Sequence, residues 1–534
     1  MERYHILVSD NLHEKGIELF RARDWCDVDV ATDLSPEGLK KVIGKYHGLV
    51  IRSATKVTAD IIAAASNLKV IGRAGSGLDN VDVPEATRKG IVVMNTPGGN
   101  SMATAEHTLS LIMAAFRHIP QAVESVKLGK WEKKKFQGRE LTGKTLGVIG
   151  LGQVGSLVAK RASRALKMNV LGYDPVTTPQ AAAQIGAKLT SLEEIFRKSD
   201  VITVHTPLTS ETRGLLNAAA FAKMKTGAVV VNCARGGIVD EAALLDALES
   251  GKIAAASLDV YTVTPPKDNP LVKHPRVIAT PHLGASTTEA QINVAVAVAG
   301  QMIDYLEKGL VRNAVNAPTI DPSLRPKLEP YLDLAGRLGR FMAQLAPGPI
   351  VALETVFCGE IAQWDVKPVT NAVLVGLLTW SEGPNVNDVS APAIAEKRGI
   401  QVSETTSKTS PFYGSTVGIR TSSPDGTKVN VLGALIPRIG MEPRIIGIDD
   451  FVTEAVPTGA MLVVANKDVP GMIAGISGAL ARSRINIAQM NLSRDKIGGQ
   501  AMSIINIDTP ADEITLESIR GIDGILSVKQ VILY

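Results

Sequence analysis

Leu146-Gly147-Val148-Ile149-Gly150-Leu151-Gly152-Gln153-Val154-Gly155 is a short apolar run that leads into three glycines at G-x-G-x-x-G spacing. The apolar part suits a buried parallel strand, and Ser156 to Leu166 after it reads as a helix. Val170 to Tyr173 reads as a second strand, ending at Asp174, nineteen residues after Gly155. The first glycine permits a tight turn, the second lets backbone approach a pyrophosphate, and the third brings helix and strand close. Free N–H groups at the helix start, with the helix dipole behind them, hold phosphates. An acidic residue at the tip accepts hydrogen bonds from a ribose and repels a 2′-phosphate, which favours NAD over NADP.

Working outward from this unit, strands alternate with helical stretches on both sides, the pattern of α/β domains with parallel sheets. Before it come strand-like runs at Tyr4 to Ser9, Gly48 to Ile51, Leu68 to Ile71 and Ile91 to Met94. A capped helix is expected from Thr58, and a long helix over Ser101 to Arg117. After it come Asp200 to Val204, Ala228 to Val231, Ala255 to Leu258 and Val277 to Ala279, then a helix over Thr287 to Leu306. One folding unit is therefore laid down before the nucleotide unit begins. Four prolines between Pro318 and Pro330 mark a boundary, and Pro457-Thr458-Gly459 reads as a linker. Ala460 to Tyr534 reads strand, helix, strand, strand, helix, strand, a ferredoxin-like βαββαβ unit.

At 534 residues the chain exceeds what one core supports. Its 45% apolar and 21% charged residues are those of a soluble globular protein. A net charge of +4, with dispersed lysines and arginines, does not suggest nucleic-acid binding. No run of about 18 apolar residues calls for a membrane span, and Met1 to Asp10 lacks the sections of a signal peptide. Cys26, Cys233 and Cys358 are odd in number and far apart, which suits reduced thiols in a cytoplasmic protein. No metal is called for.

Two strand ends carry candidate chemistry. Asn232-Cys233-Ala234-Arg235-Gly236-Gly237 follows one strand, and open α/β sheets bind ligands at that end. A guanidinium there can hold both oxygens of an α-carboxylate. Pro281-His282-Leu283-Gly284-Ala285-Ser286-Thr287 follows another, and a histidine there can exchange a proton with a hydroxyl while hydride leaves the same carbon. On the residues alone, Arg235 could also close a surface turn, and His282 could as readily cap a helix.

These segments, with Arg52 to Val57, Gly72 to Asp79, Met94 to Ser101, Gly129 to Phe136 and His205-Thr206-Pro207, resemble the D-isomer-specific 2-hydroxyacid dehydrogenase family. The tail resembles the long form of members acting on 3-phosphoglycerate, with an intervening regulatory domain and a terminal ACT domain. The resemblance implies a flavodoxin-like substrate domain (1–97 and 292–318) with a Rossmann NAD-binding domain (98–291) inserted. An α+β regulatory domain (319–456) and a ferredoxin-like ACT domain (459–534) follow.

It also implies oxidation of 3-phosphoglycerate with NAD by a homotetramer. Arg235 would then orient the carboxylate, and His282 would be the base toward oxidation. Arg52, Ser53 and Arg73 would hold the substrate's anionic groups, with Lys133 supplied from a neighbouring subunit. A phosphorylated acid carries about three negative charges, which such cations neutralise. Ser76, Gly150, Gly152, Gln153, Val154, Gly155, Asp174, Thr206, Cys233, Ala234, Asp259, Gly284 and Ala285 match cofactor contacts, joined by Arg235 and His282 themselves. In the tail, Asn466, Asp468, Gly471 and Asn486 match residues that hold an amino-acid effector, L-serine by family expectation. Without the resemblance, Arg52 and Arg73 read as surface charges, Lys133 as part of a solvated run, and the tail residues as ordinary turns.

One position departs from the family pattern. Thr264 stands where the family has a glutamate before proline, in Asp259-Val260-Tyr261-Thr262-Val263-Thr264-Pro265. That glutamate would fix the histidine tautomer and favour its protonated form. Its absence predicts that His282 titrates lower and that turnover falls by about 10- to 1000-fold, with cofactor binding retained. It also leaves room for a rival reading, an NAD- and serine-binding sensor with little turnover, and for a 2-hydroxyglutarate side activity.

Overall fold

The computed structural model describes residues 3–321, 323–410, 413–438 and 440–533; Met1, Glu2, Pro322 and Tyr534, read above as parts of terminal or boundary segments, lie outside them. Among these residues the chain builds four sheets. The first consists of β1 (Tyr4–Val8), β2 (Cys26–Val30), β3 (Gly48–Ile51), β4 (Val70–Arg73) and β5 (Val92–Met94). All its pairs are parallel, in the order β2-β1-β3-β4-β5, which is the flavodoxin-like order. Central strands such as Gly48-Leu49-Val50-Ile51 are buried throughout, as a sheet covered on both faces requires.

Helix α1 (Ser101–Arg117) carries the chain to the second sheet. This sheet holds β6 (Thr145–Ile149), β7 (Asn169–Tyr173), β8 (Ala187–Leu189), β9 (Val201–Val204), β10 (Ala228–Asn232), β11 (Ile253–Leu258) and β12 (Val277–Ala279). Its order is β12-β11-β10-β9-β6-β7-β8, again all parallel. The winding reverses between β6 and β9, so the crevice at the carboxyl ends of these strands is the natural ligand site. Helix α2 (Gln153–Arg164) starts inside the glycine turn, three residues earlier than the sequence suggests.

Helix α3 (Thr288–Lys308) returns the chain to the first sheet. Thr287 Oγ1 caps its start by accepting the Ala290 N–H at 3.2 Å. Its Val294, Val298 and Met302 enter the core of Ile6, Phe20 and Val50. The following residues then bond to the sheet edge, Val315 N to Val93 O at 2.9 Å. The expected cap at Thr58 is only positional: its backbone is extended before Ala59–Ala64, but its side chain makes no capping bond.

The third sheet is mixed: β13 (Ala352–Gly359), β14 (Gln401–Ser407), β15 (Ser415–Ser422), β16 (Lys428–Arg438), β17 (Gly440–Ile448) and β18 (Phe451–Ala455) lie in the order β14-β13-β15-β16-β17-β18. Helices α4 (Arg325–Leu345) and α5 (Lys367–Glu382) pack on it. The fourth sheet has β19 (Gly459–Lys467), β20 (Ile487–Arg494), β21 (Gln500–Ile507) and β22 (Ile525–Leu533), antiparallel in the order β20-β21-β19-β22. Helices α6 (Met472–Arg482) and α7 (Glu513–Arg520) complete the βαββαβ unit and cover one face through Ile476, Leu480 and Ile519. On the other face Met461, Val463 and Val531 share a core with Leu334, Leu338 and Phe341 of α4. The segment Pro457 to Gly459 therefore links two sheets whose apolar interiors are continuous.

Candidate active site

The nucleotide side is built by the turn after β6. Gly150 has φ 92°, in the left-handed region that glycine adopts without strain. A Cβ on Gly155 would overlap the Gly150 carbonyl oxygen, whereas one on Gly152 would meet nothing within 4 Å. The third glycine is thus a packing requirement and the second faces open space, as a bound pyrophosphate needs. Gly152 caps α2 without a side-chain bond, so the first N–H groups of the helix remain available. Gln153 Oε1 accepts from Ser101 Oγ at 3.1 Å.

At the tip of β7, Asp174 accepts the N–H groups of Leu151 at 2.8 Å and of Val176 and Thr177 at 2.9 Å. Burial pushes its pKa up, but these donors outweigh it and hold the carboxyl below its ordinary range, hence ionised. Thr206 Oγ1 is buried without a hydrogen-bond partner, at the wall of the cleft. An orphaned hydroxyl, open backbone donors and an ionised tip acid together fit a dinucleotide.

The two parallel sheets face one another across a cleft of about 1010 Å³. From the first sheet come Arg52, Ser53, Arg73 and Ser76; from the second come Val154, Thr206, Cys233, Ala234, Arg235, His282, Gly284 and Ala285. The structure thus brings together most of the expected site. Lys56, Gly77, Asp79 and Asn80 line it as well. Arg73 lies at the end of β4 and donates from Nε to Asn80 Oδ1 at 3.2 Å. Burial, then the positive charge of Arg235, lowers its pKa to about 10, with Asp79 opposing and Arg52 adding to the effect. Arg52 is lowered by burial against the pull of Asp10, donates from Nη1 to Asn11 O at 2.8 Å, and leaves its buried Nε unpartnered. Mutually repelling guanidinium groups with an unfilled donor form a pocket that an anion stabilises.

His282 has φ 58°, strained for a non-glycine residue. The strain is held by Asp259, which is fully buried and accepts the Leu283 N–H at 2.7 Å, the Gly284 N–H at 2.8 Å and the Thr280 hydroxyl at 2.6 Å. Asp259 thus serves the loop directly, whatever contact it makes with a cofactor. Burial in the cleft lowers the His282 pKa, Asp259 pulls it back up, and Arg235 and Arg73 lower it again. Thr264 lines the same cleft. Glu241, a neighbouring carboxylate, is engaged by Thr262 N at 2.6 Å and Asn269 Nδ2 at 2.7 Å. Cys233 is buried, and burial pushes its thiol up to about 12, which rules it out as a thiolate nucleophile at neutral pH.

Lys133 lies in a 3-10 turn, Lys133–Phe136, exposed and outside the cleft of its own chain. In the fourth sheet Asn466 is buried, with Oδ1 unpartnered, and Gly471 caps α6 at φ 97°. Asp468 is already engaged by Arg494 Nη1 at 3.2 Å and Gly498 N at 3.1 Å. Asn486 donates to Asp508 at 3.0 Å, just before Ile487, whose partner Ile507 pairs with Ala460. It therefore sits at the other end of the sheet from Asn466, and one chain does not join the two. Among the described residues no cluster of His, Cys, Asp and Glu could hold a metal, and no helix is long and apolar enough to cross a membrane.

A flavodoxin-like half joined to a Rossmann half, with arginines and a histidine at the strand ends between them, defines an NAD-dependent 2-hydroxyacid dehydrogenase. Residues 109–284 match the model of the D-isomer specific 2-hydroxyacid dehydrogenase NAD-binding domain, 327–449 that of the D-3-phosphoglycerate dehydrogenase intervening domain, and 460–524 that of the ACT domain. D-3-phosphoglycerate dehydrogenase of Archaeoglobus fulgidus is 45% identical over 98% of this chain and 99% of its own. That of Bacillus subtilis is 39% identical over 99% of each. A solved D-lactate dehydrogenase of Aquifex aeolicus, complexed with NAD and lactic acid, is 27% identical, covers 59% of this chain and 100% of its own, and superposes with a TM-score of 0.53. The chain belongs to the D-3-phosphoglycerate dehydrogenase family.

Proposed function

We propose that the chain oxidises 3-phospho-D-glycerate to 3-phosphohydroxypyruvate, the first step of phosphorylated L-serine biosynthesis. The observation that carries this is the convergence of Arg52, Arg73, Arg235 and Lys56 on the cleft that holds His282. Arg235 takes the substrate carboxylate, and Arg52, Ser53 and Arg73 take its remaining negative charge. NAD bound at Gly150 to Gly155, Asp174 and Thr206 supplies the hydride acceptor. His282, neutral at physiological pH because burial lowers its pKa, accepts the hydroxyl proton as the C2–H bond breaks.

Domain limits of 1–97 with 292–318, 98–291, 319–456 and 459–534 accompany this reading. So does a cytoplasmic homotetramer in which Lys133 reaches a neighbour's cleft. L-serine bound by Asn466, Asp468 and Gly471 of one chain and Asn486 of another regulates it. The reaction is tested by stoichiometry: each NADH formed should accompany one phosphorylated keto acid two hydrogens lighter than the substrate. Regulation is tested with serine on the full chain; no change in either rate or thermal melt would refute it.

A further inference from the structure

His107 lies on α1, outside the residues that line the cleft, with its side chain 19% exposed. Its Nε2 is 3.2 Å from Asp259 Oδ1 and 3.3 Å from Thr280 Oγ1. The Thr280 hydroxyl proton is directed to Asp259 at 2.6 Å, so Thr280 offers His107 only lone pairs. Both neighbours of Nε2 are acceptors, and Nε2 therefore carries the proton. Asp259 in turn holds the two peptide N–H groups that follow His282. Among the described residues nothing hydrogen-bonds the His282 ring, and Thr264 offers no charge, so the ring's direction is set through its backbone. The charges acting on that ring are Asp259 and Asp79 on one side, Arg235 and Arg73 on the other.

We propose that His107 is a positioning residue for the oxidation: its Nε2–H fixes Asp259, and Asp259 pins the loop that aims His282 into the cleft. The chain of contacts runs from α1 to the end of β11 and on to the loop after β12, three segments that must keep their spacing for the base to meet its substrate. This rests on His282 being the proton acceptor, as proposed above. A buried carboxylate left short of a donor would turn, and misplacing a catalytic group by about 1 Å is expensive.

The test uses the full-length chain with NAD. His107→Phe should lower kcat about 10- to 100-fold while the KM for NAD stays near that of the unmodified chain. His107→Gln, whose amide N–H can still reach Asp259, should recover most of the loss. With labelled histidine and NAD bound, the His282 ring should titrate closer to an ordinary imidazole in His107→Phe than in the unmodified chain, because a loosened loop exposes it. If His107→Phe does not fold, His107→Ser, which fixes no donor, carries the same expectations. Unchanged kcat and His282 titration in the Phe or Ser variant, or a Gln variant as impaired as Phe, would overturn the proposal. A chain that makes no NADH from 3-phosphoglycerate would overturn the substrate instead, and the ring titration would still decide the role of His107.

Discussion

Arg235 Nε donates to Asp79 Oδ2 at 2.9 Å, tying the nucleotide sheet to the substrate sheet across the cleft. The pair is partly solvated, with side chains 32% and 64% exposed, so it contributes at most about 1 kcal/mol to stability. Its effect is on direction: Nη1 is also engaged, by Ala234 O at 2.7 Å, and the guanidinium is left in one orientation.

Asp79→Ala should therefore lower kcat/KM for the hydroxy acid by about 10- to 100-fold through misorientation of Arg235. Thermal stability and NAD affinity should stay near those of the unmodified chain, as calorimetry and NAD titration would report.

Gly77 makes a related prediction. A Cβ there would overlap Arg235 Nη2, the tip of a flexible side chain, whereas a Cβ on Gly155 would overlap the backbone oxygen of Gly150. Gly77→Ala should fold and bind NAD but lose substrate affinity, seen as a raised KM. Gly155→Ala has no side chain to displace and should lose NAD binding and stability together.

The oxidation needs neutral His282. Its lowered pKa means that kcat/KM should hold to a pH below the ordinary imidazole range and fall only beneath it. Thr264→Glu adds a carboxylate in the cleft, which favours protonated His282, so the acid limb should move to higher pH. Turnover at alkaline pH should rise by about 10- to 1000-fold if the missing partner limits the rate. A pH–rate profile of both chains measures the two effects at once; little or no gain in turnover would show that Thr264 does not limit the reaction.

His205 affects stability. Burial lowers its pKa to about 4, and Thr203 Oγ1 lies 3.1 Å from its Nε2. The unfolded chain binds this proton below about pH 6.5 and the folded chain only near pH 4, so stability is lost as pH falls through that window. The loss should be on the order of 3 kcal/mol. Denaturant unfolding at the two ends of the window should show a smaller pH difference in His205→Gln.

How legible all this was depends on where the information lies. Gly150 to Gly155, Asp174, Arg235 and His282 sit at strand ends within short motifs, and the motif is itself the physical requirement. Strand β2, Cys26-Asp27-Val28-Asp29-Val30, carries no clear strand signal in its sequence because an edge strand needs only one apolar face and its aspartates mask the pattern. Asp79 and His107 could not be read from sequence, since their partners Arg235 and Asp259 lie more than a hundred residues away. The third sheet gave no motif because its alternating strands build a core and no strand end there carries a catalytic pattern.

The most direct measurement is the initial rate of NADH formation with 3-phosphoglycerate, set against unphosphorylated glycerate under the same conditions. If Arg52, Arg73, Arg235 and Lys56 are there to neutralise a phosphorylated hydroxy acid, kcat/KM should favour 3-phosphoglycerate by about 100-fold or more, the worth of charge-assisted contacts to one phosphate. Equal rates, or NADH from neither, would contradict that reading of the cleft.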